Sequence, residues 1–490
     1  MKKFFVVNLI FMVTLNLLIK SFWILGIDRS VQNALPSGEY GIYYALLNFS
    51  YLFNIILDFG ITNFNNKTIA QNTVLLKKYF SRILPLKLLL AGVYIAAVFV
   101  CAVLGGYSGR AFHLLIWLTL FQLFTSLLTY FRSNISGLLL FKTDSVLSVL
   151  DKTLTIIFCS ILLWTPFLKG SFKVEYFVYA QTLSIFLSCL AVGVICLVKT
   201  GFPSLVWKPK FMITILKKGF PFALLALLMS FYNRVDGVFL ERLLRDDGEA
   251  AGIYASGFRL VDSVNMVSYL FSVILLPLFA KMIKDRGNVK EIIKIASHIL
   301  LLSSVCFVSV SFVYSEELMG LLYNKNIEES ASVYRILCFC YVPVAATYVF
   351  GTLLTANGSM KKLNIVAACG MVINVLLNCI LVPLYRQDGS AFSSLTSQVL
   401  TAVLQIFIAM KIFSIHFDFK YFLRLVLFVF SCCGLAYAIH LLDINWLYRA
   451  VITLASCCLS ALVFKIFNVG EMFSFVQQSI RNKAGNKKEE

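Results

Sequence analysis

The chain has 490 residues, 60% of them hydrophobic and only 14% charged, with a mean hydropathy of +0.85. A water-soluble protein of this length carries about a quarter charged residues and cannot hide so much apolar surface, so lipid must serve as the solvent. The formal charge of +19 would suit a nucleic-acid binder, but no nucleic-acid motif accompanies it and most basic residues fall between apolar runs.

Those runs predict an all-α polytopic membrane protein of about fourteen transmembrane helices, each near the roughly 20 residues that cross the hydrocarbon core. They lie at about 4–27, 40–62, 83–105, 111–131, 146–168, 176–198, 219–240, 258–280, 292–314, 333–357, 363–384, 390–413, 419–442 and 446–467. Span one opens on Met1-Lys2-Lys3. Its apolar stretch is too long for a signal peptide and no small-residue cleavage site follows. It carries Asn16 and, one turn later, Lys20, roughly 22–24 Å from the start of the span at 1.5 Å per residue. In span two, Tyr44, Asn48, Tyr51, Asn54 and Asp58 share an arc of about 120° at about 100° per residue. Lys87 in span three and the Asp151-Lys152 pair in span five sit near cytoplasmic ends, where long cationic side chains snorkel to the headgroups.

Six spans end near residue 198, and a segment at 199–218 with Pro203, Pro209 and Lys217-Lys218 separates them from six more at 219–413. Two additional spans occupy 414–467, and a basic tail follows at 468–490. Span seven places Arg234 late in its helix, as Lys20 lies late in span one, with Ser230 one turn below. Asp236 points elsewhere and is expected to pair with Arg259 on the next helix. In span eight, Arg259, Asp262, Asn265, Tyr269 and Ser272 share about 140°, and Arg259 and Asp262 have the spacing of a local pair. Ionisable groups inside spans are costly and mark functional pathways, so the two stripes are read as lining a water-filled cavity. Helix-to-helix hydrogen bonding is the plain alternative. In span eleven, Gly370, Asn374 and Asn378 share one face and read as packing and cross-bonding positions.

Loops on one side hold about three times the Lys and Arg of the others, so the termini and linker are predicted to be cytoplasmic. The thirteen cysteines fall in apolar spans without a C-x-x-C and read as small buried hydrophobes. The four histidines form no metal-ligand spacing, and no cofactor motif is present. A weak repeat joins Glu39-Tyr40-Gly41-Ile42-Tyr43 to Glu249-Ala250-Ala251-Gly252-Ile253-Tyr254, and Tyr51–Leu57 to Tyr269–Leu275. Repeats of six spans each are parallel, related by an axis along the membrane normal.

Several stretches resemble the polysaccharide flippases of the multidrug/oligosaccharidyl-lipid/polysaccharide (MOP) exporter superfamily. They are Glu39–Gly60, Asn233-Arg234-Val235-Asp236, Ala251–Pro277, Leu354–Gly358, and Gly370–Pro383 with Asp388–Ala391. The resemblance implies two six-helix lobes in a V-shaped arrangement, with a cavity lined by spans one, two, seven and eight. It implies a polyprenyl-pyrophosphate-linked oligosaccharide as cargo, moved from the cytoplasmic to the outer leaflet of the bacterial inner membrane. Membrane lipids, a polysaccharide polymerase and chain-length machinery are the partners it implies. In that frame, Lys20, Arg234 and Arg259 are candidates to hold the pyrophosphate. Asn48, Tyr51, Asn265 and Tyr269 are candidates for sugar or headgroup contacts, and Asp58, Asp236 and Asp262 for ion coupling. Two rivals remain: a small-molecule antiporter of the same superfamily, and a membrane-embedded polysaccharide polymerase or ligase. Chemistry of the latter kind calls for a sizeable outer loop, and the only acidic cluster there is Asp246-Asp247-x-Glu249.

Overall fold

The computed structural model describes residues 14–464, apart from Leu17, Ser37, Leu139, 166–171, 202–203, Arg245 and 416–418. The proposed start of span one and the 468–490 tail lie outside the described residues. Everything regular among them is helical. In chain order, a π-helical turn at Trp23–Asp28 leads into α1 (Arg29–Ala34), α2 (Glu39–Leu52), α3 (Asn54–Asp58), α4 (Ile61–Gln71), α5 (Leu76–Leu104) and α6 (Gly109–Gly137). Next come α7 (Phe141–Leu147), α8 (Leu150–Trp164), α9 (Val174–Thr200), α10 (Pro209–Leu244), α11 (Glu249–Lys284) and α12 (Lys290–Val313). The last are α13 (Ser315–Leu322), α14 (Ile327–Leu337), α15 (Tyr341–Ala356), α16 (Met360–Phe413), α17 (Phe419–His440) and α18 (Trp446–Val463).

Ten helical stretches among the described residues are long and apolar enough to cross a membrane. One of them, α16, contains two of the predicted spans, joined where Arg386 leaves helical geometry (φ 51°, ψ −130°). Span two is not one helix. It breaks at Phe53, then ends where Phe59 (φ 47°) and Gly60 (φ 75°) both turn left-handed.

The chain forms two compact units. The first comprises Met1–Arg259, Leu321–Val333 and Asn364–Ser397. Within it α6 packs against α9 and α4, and α10 runs along α2. Backbone meets backbone at both ends of the broken span: a Cβ on Gly41 would lie 1.8 Å from the Gly248 carbonyl oxygen, and one on Gly219 would lie 2.2 Å from that of Phe59. Only hydrogen fits at either point. Between them, Gly237 leaves room for Tyr44 and Asn48.

The second unit comprises Leu260–Gly320, Tyr334–Leu363 and Gln398–Glu490. Here α17 and α18 pack on each other and on α12 around Val305, Cys306, Phe428, Cys432, Cys457 and Ala461. Buried tyrosines satisfy their hydroxyls across helices, as lipid-solvated proteins require: Tyr334 donates to Ser311 at 2.8 Å, and Tyr314 lies 3.2 Å from the Thr453 hydroxyl. The expectation that the cysteines are all buried fails at Cys369, Cys379, Cys433 and Cys458, which lie exposed on helix surfaces. In a membrane such a surface faces acyl chains, which welcome a small thiol as readily as a core does.

Candidate functional site

Asp236, on α10, is almost wholly buried. It accepts hydrogen bonds from Tyr254 Oη (2.9 Å), Ser394 Oγ (2.6 Å), Asn378 Nδ2 (2.9 Å) and Asn374 Nδ2 (3.3 Å). A second layer orients those donors: Ser390 Oγ donates to Asn378 Oδ1 at 2.8 Å, and Asn374 Nδ2 reaches Ser397 Oγ at 3.4 Å. The spacing of four that aligned Asn374 and Asn378 on the sequence brings both amides to one carboxylate. Every hydrogen bond to Asp236 among the described residues comes from a neutral group, so the expected pairing with Arg259 is not formed. A buried carboxylate surrounded by amides and hydroxyls has the donor set to exchange a proton or a small cation.

Arg259 turns instead to Asp28, which the sequence reading left just outside span one. Its Nε lies 3.0 Å from Asp28 Oδ2 and donates to Tyr40 Oη at 3.2 Å, while Tyr40 donates to Asp28 at 2.7 Å. The guanidinium also lies over the Tyr44 ring, 5.7 Å from its centroid. Asp28 closes the π-helical turn at Trp23–Asp28 and is buried there, an irregularity that composition scarcely marks.

Arg234 lies between two rings, 5.4 Å from the Tyr51 centroid and 5.7 Å from that of Phe258. Such a seat stabilises a guanidinium through the faces of its rings. Lys20 is partly buried, and the nearest charges acting on it are those of Asp151, Lys152 and Arg132. Below it, Asn16 donates to Ser148 at 2.7 Å. Lys152 does not snorkel; it lies 5.2 Å from the Trp23 centroid and 5.8 Å from that of Phe121, and 3.5 Å from Asp151.

The reading of Lys87 as an interfacial side chain is also overturned. Lys87 is 2% exposed. Its ammonium donates to Asp58 at 2.6 Å, to the Leu57 carbonyl at 3.0 Å and to Ser126 at 3.1 Å. The break in span two frees the carbonyl end of α3, and a cation is the natural cap for it. Asp58 thus has a lysine partner that the sequence did not reveal. Asn48 is buried against Gly237.

The remaining candidates belong to the second unit. Asp262 and Asn265 are partly buried on α11, and Asn265 Oδ1 has no hydrogen-bond partner among the described residues. Tyr269 is half exposed and meets Tyr348 edge-on at 6.3 Å. The first unit therefore gathers Lys20, Asn48, Tyr51, Asp58, Arg234, Asp236 and Arg259, and the second Asp262, Asn265 and Tyr269.

The family described as polysaccharide biosynthesis protein matches residues 8–283, more than half of the chain. The chain belongs to that family. A second family, MatE, matches residues 221–380, which include Asp236, Asn374 and Asn378. No curated protein matches. Among solved structures, the lipid II flippase MurJ in an inward closed conformation superposes with a TM-score of 0.73 at 15% identity, covering 91% of this chain and 97% of that one. An inward-facing multidrug resistance MATE family transporter of the MOP superfamily gives 0.63 at 15% identity, covering 80% and 94%. A MOP superfamily transporter from Pyrococcus furiosus gives 0.58 at 15% identity, covering 83% and 95%. The family member therefore has the MOP fold that its sequence resembled.

Proposed function

We propose that this member of the polysaccharide biosynthesis family is a flippase for polyprenyl-pyrophosphate-linked oligosaccharide. It carries the cargo from the cytoplasmic to the outer leaflet of the bacterial inner membrane by alternating access, with both termini cytoplasmic. The observation that carries this reading is the set of cations held inside spans of the first unit: Arg234 seated on Tyr51 and Phe258, and Lys20, on which the charges of Asp151, Lys152 and Arg132 act. A polar sugar and a diphosphate cannot enter hydrocarbon unaided. Lys20 and Arg234 would attract the pyrophosphate through charge-assisted hydrogen bonds. Arg259, already matched by Asp28, would join on cargo arrival. Asn48 and Tyr51 would contact the headgroup or sugar, while the prenyl chain stays in the bilayer.

Asp236 is the coupling group of this proposal, because its partners are uncharged and bear on both of its oxygens. Asp58, tied to Lys87, serves the fold of span two instead. An inside-negative potential assists outward movement of an anionic headgroup by about 2.3 kcal/mol per charge per 100 mV.

The test is complementation of a deletion strain, with lipid-linked oligosaccharide on the cytoplasmic leaflet as the readout. Lys20→Ala and Arg234→Ala are expected to leave the intermediate stranded. Normal export by both variants refutes the anion site. The MatE match over 221–380 favours a second reading, a small-molecule antiporter. That reading predicts ion-driven efflux of organic cations and no stranded intermediate on deletion.

A further inference from the structure

The first unit has a face built only from cations. No Asp or Glu occurs between Asp58 and Asp144, or between Glu175 and Asp236. Those two stretches contain the start of α5 and the 199–218 segment. Lys77, Lys78, Lys199, Lys208, Lys210, Lys217 and Lys218 are all exposed there. The topology rule asks for an excess of Lys and Arg and is nearly indifferent to acids. The basic run at 281–294 illustrates that indifference, since it mixes its lysines with Asp285 and Glu291. Orientation alone therefore leaves the exclusion of acids around 199–218 unexplained.

These lysines stand on a fixed base. Val206 N donates to the Ser81 carbonyl at 3.1 Å. Phe211 receives the Arg82 guanidinium at 5.4 Å and the edge of Tyr79 at 5.4 Å. Met212 and Ile215 are buried in a cluster with Phe80, Ile83 and Tyr130. Among the lysines, three apolar side chains point outward: Val74 (85% exposed), Leu205 (63%) and Trp207 (57%). Exposed lysines on either side of an outward indole in the chain match a surface that is anionic at its headgroups and apolar just beneath, where Trp partitions by preference.

We propose that the 199–218 segment and the start of α5 form a platform for anionic phospholipid headgroups, with Trp207 and Leu205 seated in the interfacial layer. The platform engages the leaflet whatever the cargo, so its test does not depend on transport.

The full chain is placed in phosphatidylcholine nanodiscs containing equal amounts of brominated phosphatidylglycerol or brominated phosphatidylcholine. Quenching of Trp207 is read as the difference between the wild type and Trp207→Phe. The expected result is stronger quenching by the anionic lipid, abolished at high salt. Each lysine removed is expected to lower the preference by up to about fivefold, so the Lys208→Gln/Lys210→Gln/Lys217→Gln/Lys218→Gln variant loses it. The corresponding Lys→Arg variant keeps it, which separates charge from misfolding. Equal quenching by both lipids, or a preference that survives removal of all four charges, overturns the proposal. So does displacement of the anionic lipid by inorganic pyrophosphate at matched ionic strength, which would make the platform a diphosphate site.

Discussion

The Lys87–Asp58 pair offers a test in which the two single mutants should differ in a direction the structure dictates. The lysine side chain is 1% exposed and the aspartate 30%. Replacing Asp58 with Asn leaves a fully buried ammonium without its counter-charge, with only neutral acceptors: the new amide oxygen, the Leu57 carbonyl and Ser126. Removing one partner of a buried pair costs about 3–5 kcal/mol, and the ammonium has no water to fall back on. Replacing Lys87 with Met leaves Asp58 to rehydrate through its exposed third, so the cost drops to about 1–3 kcal/mol, mostly the lost cap on α3. The double variant removes both charges and should recover much of the larger loss, giving a coupling energy of about 2 kcal/mol. The assay is resistance to heat in detergent, followed by size-exclusion chromatography of the fluorescently tagged protein. If Asp58→Asn is the milder single change, or if the double variant is simply additive, the burial argument is wrong.

Four other outcomes follow from the geometry. Arg259→Gln leaves the buried Asp28 without its counter-charge, with Tyr40 still donating to it, and should lower stability by about 3–5 kcal/mol; adding Asp28→Asn should restore part of it in the same heat assay. Gly41→Ala forces a methyl against the Gly248 carbonyl and should cost about 1–3 kcal/mol. Gly92→Ala, with open space around it, should leave the melting profile unchanged. Asp236→Asn keeps the shape of its site and should preserve expression while removing the dependence of transport on a proton or sodium gradient, measured in proteoliposomes. Because a maleimide needs the thiolate, Cys369, Cys379, Cys433 and Cys458 should resist labelling while acyl chains cover them, and in mild detergent at alkaline pH should label ahead of the buried Cys306, Cys432 and Cys457.

Much of the fold was legible because hydrocarbon imposes simple rules: length and hydropathy located the helices, and the cost of charge picked out Lys20, Asp58, Arg234, Asp236, Arg259 and Asp262. Position along a helix, however, does not reveal a partner. Asp236 and Arg259 lie 23 residues apart and were matched by proximity in the chain, whereas Asp236 meets Tyr254 and residues 374–394, and Arg259 meets Asp28 and Tyr40. Lys87 was misread because an unbroken span two offers it nothing. Its place makes sense only once Phe53, Phe59 and Gly60 interrupt the helix. Left-handed turns and π-helical residues leave a faint trace in composition, and each one redirects the side chains beside it.

The bare contact at Gly41 separates two kinds of sequence freedom on one helix. There the peptide planes themselves touch, so any replacement can only add bulk. Three to ten residues further on, Tyr44, Asn48 and Tyr51 can change only in step with Gly237 and Arg234, which pack against them. One helix is thus held at its start by backbone contact and further along by the fit of side chains.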